Sequence, residues 1–347
     1  MSKNIQNEAL SMANDLMLKT SFIKEPGLMN GKLGIAIFFF HMEKKFNKQI
    51  YHDYATELLF EVFEDVAYWK GVDLYFENGL AGIGYGMEYL VENGLIDIGH
   101  SKIITELNSL LFNSFLRSDT TDNLEVSRGI LGLTVYFLKR VEILQNSIHE
   151  VLLLRNKEIL IHIIDQLFWI ASDENNLPHE PKKWTLTWEI PLLFYLIGRL
   201  HFHKIFVYKT SKILERLCEY LIKQTSYPYL HSNKLLLKLF ILKMKTISIG
   251  KFDDQLNLIL SNLDDTIDME QIRKEIDCGD PTLLHGTSGI NLVYHQLTEF
   301  DKSPSYHKEV NYWKNVSNKS LNEWPKVSEE IGLFSGISGA LLNTLCY

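Results

Sequence analysis

Apolar and polar positions along this chain follow two helical rhythms. In "YHDYATELLFEVFEDVAYW" the apolar residues Ala55, Leu58, Leu59, Val62, Phe63 and Val66 recur at spacings of three and four, with Glu57, Glu61, Glu64 and Asp65 between them. That is the stripe of a helix with one face in a core and the other in water. "KIITELNSLLFNSFL" and "RNKEILIHIIDQLFWIAS" repeat it. Other runs, such as "GIAIFFFHM" and "IPLLFYLIGRL", have almost no polar face. A helix that is apolar nearly all round is buried on most sides. Without a convincing period-two alternation anywhere, the pattern predicts an all-α chain of paired helices, one outer and amphipathic, one inner and apolar.

The inner runs share a start. Two glycines three apart precede the apolar residues in "LMNGKLGIAIFFFHM" (Gly31, Gly34), "FENGLAGIGYGMEYL" (Gly79, Gly82), "VSRGILGLTVYFLKR" (Gly129, Gly132), "LLHGTSGINLVYHQL" (Gly286, Gly289) and "LFSGISGALLNTLCY" (Gly336, Gly339). From Gly31 to Gly79 is 48 residues, and Gly79 to Gly129 and Gly286 to Gly336 are 50 each. An apolar residue stands three before each first glycine: Leu28, Phe76, Val126, Leu283 and Leu333. The gap from Gly129 to Gly286 is about three periods, so two degenerate copies belong there. "WTLTWEIPLLFYLIGRL" near Trp188 and "YPYLHSNKLLLKLFIL" near Ser232 keep the apolar run without the glycines. Seven helical hairpins result, and closing them into a ring, an α/α toroid, buries the inner helices. The glycines read as structural, allowing close backbone approach where inner helices begin. With no interdomain linker in view, residues 1–347 read as one domain. "SDENNLPHEPKKW" reads as a polar surface loop.

The formal net charge of −8 gives nucleic-acid binding no global support. Cys218, Cys278 and Cys346 are widely spaced, with no CxxC, so neither a disulfide framework nor a self-contained zinc module is indicated. The N-terminus lacks the profile of a secretory signal, and no apolar run is long enough to span a bilayer. The expectation is a cytoplasmic protein without membrane insertion. Phosphate loops, nucleophile elbows and HExxH are missing.

Polar residues cluster just before the inner helices. Asn30, Asn78, Arg128, His285 and Ser335 share one place in the repeat. They suit the mouth of a cavity, though Asn30, Asn78 and Ser335 equally suit helix N-caps. Arg128 and Glu77 are less easily caps and are candidate peptide contacts. His285 is a candidate general base, or a buried histidine capping backbone groups. Trp188 and His231 join the candidate cavity residues, with core packing as the alternative for the tryptophan.

The five GxxG starts, the seven-unit count, the length and the His285-Gly286 pair resemble the lanthionine synthetase C-like family. The resemblance implies an α/α toroid. It also implies work on ribosomally made, lantibiotic-type peptides, where cyclases add cysteine thiols to dehydrated serine or threonine to form thioether rings. In such cyclases a central zinc activates the thiol, which is mostly protonated at neutral pH. The family pattern places a cysteine ligand two before the fifth-unit glycine and a Cys-His pair before the sixth. Here His285 matches the histidine, while Leu230 and Leu284 stand at the cysteine positions. A histidine of the fourth unit, the family's candidate acid–base group, is replaced by Thr187. The expectation is therefore a zinc-less, peptide-binding and weakly active or inactive homologue, a pseudo-cyclase whose partner is a precursor peptide or another modification enzyme. Alternatives are an active cyclase with His231, His285 and Cys278 as substitute zinc ligands, and a non-catalytic scaffold for a protein partner. A glycan-processing α/α barrel has only Glu77 and Glu189 near the right places.

Overall fold

The computed structural model describes residues 3–67, 73–97, 102–117, 123–223, 227–247, 250–324 and 330–346. Among these residues are fifteen α-helices and no strand. In chain order they are α1 (Lys3–Thr20), α2 (Lys32–Phe46), α3 (Gln49–Ala67), α4 (Leu80–Glu92), α5 (Lys102–Arg117), α6 (Ile130–Leu144), α7 (Glu150–Ile170), α8 (Glu189–Phe202), α9 (Val207–Lys223), α10 (His231–Thr246), α11 (Asp253–Asp264), the short α12 (Met269–Glu275), α13 (Thr287–Phe300), α14 (Pro304–Glu323) and α15 (Ile337–Cys346). Apolar helices pack against the amphipathic helix that follows them: α2 on α3, α6 on α7, α8 on α9 and α10 on α11. The two glycine-free copies are real helix starts, at Glu189 and His231.

The chain groups into two compact units, one drawn from residues 1–114, 278–292 and 310–347, the other from 115–277 and 293–309. In the first, α15, α2 and α4 pack in succession, and α1 and α3 lie against α2. In the second, α6, α8 and α10 pack in succession beneath a second layer of α7, α9 and α11. The rhythm of the sequence explains the layering. Every residue of α2 from Leu33 to Phe40 is buried, and Phe39 meets Tyr51 and Tyr54 of α3 at ring distances of 5.9 and 4.9 Å. Each such side chain, fully buried, contributes about 1.5–3 kcal/mol.

The helix starts have an unexpected solution. The first N–H groups of a helix have no partner within it. Here carbonyls seven residues upstream accept from them: Glu25, Pro26 and Gly27 from Lys32, Leu33 and Gly34, and Asp73, Leu74 and Tyr75 from Leu80, Ala81 and Gly82. Asn123 accepts from Ile130, Asp280 from Thr287, Thr282 from Gly289 and Glu330 from Ile337. The incoming chain thus folds back along the helix and caps it with main chain. Gly31, Gly79 and Gly129 are the N-cap residues and make no side-chain cap. The N-cap reading of Asn30 and Asn78 therefore fails, because the main chain already fills that role.

This fold-back also accounts for the second glycine. A Cβ on Gly34, Gly82, Gly289 or Gly339 would lie 2.2, 2.0, 2.1 or 1.7 Å from the carbonyl oxygen of Leu28, Phe76, Leu283 or Leu333. These are the apolar residues three before each first glycine. The recurring apolar–x–x–Gly–x–x–Gly is one motif, a returning strand of main chain packed on a helix that has no side chain there.

Candidate functional site

In the first unit the loops before the apolar helices are laced together at one repeated position. Leu284 N–H donates to the Phe334 carbonyl at 3.0 Å, Phe334 N–H to Met29 at 2.9 Å, and Met29 N–H to Glu77 at 3.0 Å. Each of these residues lies two before a first glycine. Asn30 adds a side-chain link, accepting from Ser335 N–H and donating to Glu77 Oε1, both at 3.3 Å. Glu77 is half-buried within this lacing. His285 is exposed, its N–H 3.4 Å from Thr282 Oγ1, so a buried capping histidine is not what the fold provides. Leu284, half-buried, contributes its main chain to the lacing.

In the second unit α10 starts without a glycine. Two carboxylates accept from the N–H groups there. Glu180 accepts from Tyr229 N–H at 2.6 Å, Leu230 N–H at 2.8 Å and Asn233 Nδ2 at 2.9 Å. Glu275 accepts from His231 N–H, Ser232 N–H and Ser232 Oγ at 2.8, 2.8 and 2.7 Å. Charge-assisted bonds to main-chain N–H at the positive end of a helix are the strong kind. The sequence had offered one clue to Glu180: it stands 50 residues before Leu230, one repeat period away. Glu275 offered none.

His231, the first residue of α10, turns sideways. Its Nδ1 accepts from Asp268 N–H at 3.0 Å, which ties it to the N-cap of α12. Arg128 is exposed in the turn before α6. Trp188, placed among the cavity residues by its position, is 1% exposed and packs edge-on against Tyr227 at 5.8 Å. It is a core residue, because α8 begins beneath the aromatic cluster rather than beside open space. Thr187 pairs its hydroxyl with Thr185 at 3.2 Å. Burial holds the Glu189 carboxyl above the usual carboxylate range.

Beside Leu230 the second unit opens into a pocket of about 510 Å³. The loop around Glu180 forms one wall; Tyr220, Tyr227 and Tyr229 form another. The tyrosines meet edge to face, with ring centroids 5.5 Å apart for Tyr220–Tyr227 and 6.2 Å for Tyr227–Tyr229. Burial above all raises the Tyr227 phenol beyond its ordinary range, so it stays neutral.

The residues do not fit the zinc that the resemblance implies. A zinc site of this kind needs three protein donors and an open position. Leucine has no donor atom, and Leu230 and Leu284 hold the two thiolate positions. His231 already uses Nδ1 as an acceptor, which leaves Nε2 carrying the proton in the neutral ring. Among the described residues no group of three or more His, Cys, Asp or Glu side chains is placed to hold a metal ion. No described helix is long and apolar enough to cross a membrane.

Residues 23–186 match the family model described as "Lanthionine synthetase C-like protein". Among solved structures, the fold matches that of a protein titled "Nisin cyclase" with a TM-score of 0.70 and 16% sequence identity, over 99% of this chain and 94% of that one. The fold class is accordingly the all-helical α/α toroid. No curated protein sequence matches significantly.

Proposed function

We propose that the chain, part of which (residues 23–186) matches a lanthionine synthetase C-like family model and whose fold matches that of a nisin cyclase, binds a ribosomally made precursor peptide of the lantibiotic type and has weak or no thioether-forming activity of its own. One observation carries this reading. The positions that hold thiolate ligands in the family pattern are Leu230 and Leu284, and the helix start at Leu230 is occupied by the carboxylates of Glu180 and Glu275.

Adding a thiol to a dehydrated residue needs thiolate and alignment. Without metal coordination, His285 is the exposed base at an apolar-helix start, and an imidazole activates a thiol less strongly than a metal does. Alignment depends on shape and polar contacts, and these survive the loss of ligands. Glu77, Arg128, His231 and His285 are the proposed peptide contacts, with a modification enzyme as the alternative partner.

Calorimetry with the dehydrated precursor from the same gene neighbourhood tests binding, and mass spectrometry with a thiol-blocking reagent tests ring formation. Binding without ring formation above the unaided rate is expected. Fast cyclisation that disappears in His285→Ala would overturn the inactive version, and failure to bind any such precursor would overturn the reading as a whole.

A further inference from the structure

The helix α7 is apolar on two sides. The side that enters the core holds Ile159, Leu160, Ile163, Ile164, Leu167 and Ile170, all buried. On the opposite side Val151, Leu154, Ile161 and Trp169 are 64, 65, 40 and 71% exposed. Their spacings of three, seven and eight keep them on one stripe of the helix. By contrast α14, another amphipathic helix of similar length, exposes no large apolar side chain. An apolar stripe left in water, rimmed by charge, marks a contact surface. We propose that its occupant is a second copy of this chain, the two α7 helices lying antiparallel about a two-fold axis.

The charges within the stripe choose that occupant. Arg155, Glu158 and His162 are exposed, and Asp165 is partly exposed while it holds Lys209 at 2.5 Å. Turned end for end about position 160, α7 meets its own copy so that residues equally far from that position face each other. Arg155 then faces Asp165 of the second copy, Glu158 faces its His162, and Val151 faces its Trp169. The two-fold axis makes each of these pairs twice. Sliding one helix three residues one way would set Glu158 against Asp165, and four the other way Glu158 against itself, acid on acid in both cases. The face is thus complementary to itself in the central register and repelled from its neighbours. Such charge matching fixes register and suppresses wrong partners.

The seam has an aromatic anchor at each end, Trp169 of one copy on Val151 of the other, and ion pairs between. Its 21 residues make it about 32 Å long. A single helix pair of that length lies at the small end of specific interfaces, which bury about 1,200 Å² or more. The dimer is therefore a weak one, with a dissociation constant on the order of 10 µM.

Sedimentation velocity on the full chain, from about 1 to about 100 µM, reads the association. Trp169→Ala removes the anchor, while Arg155→Asp and Asp165→Arg each set like charges opposite one another twice. Each should weaken the dimer by about tenfold or more. Mixed one to one, Arg155→Asp and Asp165→Arg should restore it as a heterodimer, because acid then meets base at both pairs. Thermal melts check that the variants fold. Should Asp165→Arg fail through the loss of its Lys209 bond, Arg155→Asp and Trp169→Ala, both at exposed positions, still decide. A wild type that stays monomeric at about 100 µM, association unchanged in Arg155→Asp and Trp169→Ala, or a mixture no tighter than its components would overturn the seam. A monomeric wild type whose precursor binding is lost in Trp169→Ala would give the stripe to the peptide, and would overturn it too.

Discussion

The main-chain N–H of Phe334 donates to the carbonyl of Met29 at 2.9 Å, so the last repeat is joined to the first by the bond that joins Met29 to Glu77 and Leu284 to Phe334. The C-terminal helix is thus an interior neighbour of α2 and not a loose end. Gly339 lies in its first turn, where an added Cβ would sit 1.7 Å from the Leu333 carbonyl oxygen. Gly339→Val is expected to destabilise the protein by about 3 kcal/mol, the upper range for forced overpacking. A urea melt measures it, and a loss under about 1 kcal/mol would mean that the fold-back is easily rebuilt.

The carboxylates at the α10 start make a second prediction. Glu180→Gln and Glu275→Gln keep the shape but surrender the charge at the helix's positive end. Each should cost about 1–2 kcal/mol, the worth of a good cap with a charged acceptor. Chemical denaturation of the two variants beside wild type decides it, and no change in either would refute the capping role.

Cys218 gives a pH signature. Burial first, and the neighbouring Glu219 second, push its thiol up to about 12. The unfolded chain loses this proton near the ordinary value of 9.0 while the folded chain keeps it. Its contribution is thus fully present below about pH 9 and falls by about 1.4 kcal/mol per pH unit as pH rises from there toward 12. Cys218→Ala should flatten the decline measured between pH 9 and 10.5. Parallel curves for the two proteins would show that the thiol is not protected. Tyr227 and Tyr294 shift in the same direction, but they are present in both proteins and cancel.

Metal makes the fourth. Protein purified without chelator should carry well under one zinc per chain, and added zinc should leave the melting temperature unchanged, because a ligand that binds only the native state raises stability by about 2.7 kcal/mol at one hundred times its dissociation constant. Elemental analysis and a thermal scan suffice. One zinc per chain, lost in His285→Ala, would reveal donors that the geometry does not bring together.

Much of this fold was legible because it is local. The three-and-four spacing of Ala55 through Val66 marks α3, and the all-apolar run after Gly34 marks the buried α2. The period even located the glycine-free starts, near Trp188 and Ser232. The GxxG motif was read as a place for close approach, but its partner, the carbonyl of the apolar residue three before, came only with the fold-back. What sequence spacing does not carry is which distant group completes a start. Glu180 and Glu275 reach α10 from 50 and 43–44 residues away, through a polar loop and the end of a short helix. Trp188 shows the converse limit: its place in the repeat leaves cavity and core both open, and only its burial and its edge-on contact with Tyr227 decide for core.

Capping by main chain has an evolutionary consequence. A helix start held by the carbonyls of its own incoming strand asks nothing of the side chains that flank it beyond the two glycines. Asparagine, arginine, histidine or serine can occupy the place before the glycine, and leucine, glutamate or phenylalanine the place before that, with the scaffold intact. Chemistry can therefore be written into such a protein, or erased from it, one residue at a time. On this architecture an ancestor's catalytic ligands can be shed without a visit to an unfolded intermediate, and a binding protein can descend from an enzyme through a series of fully folded steps.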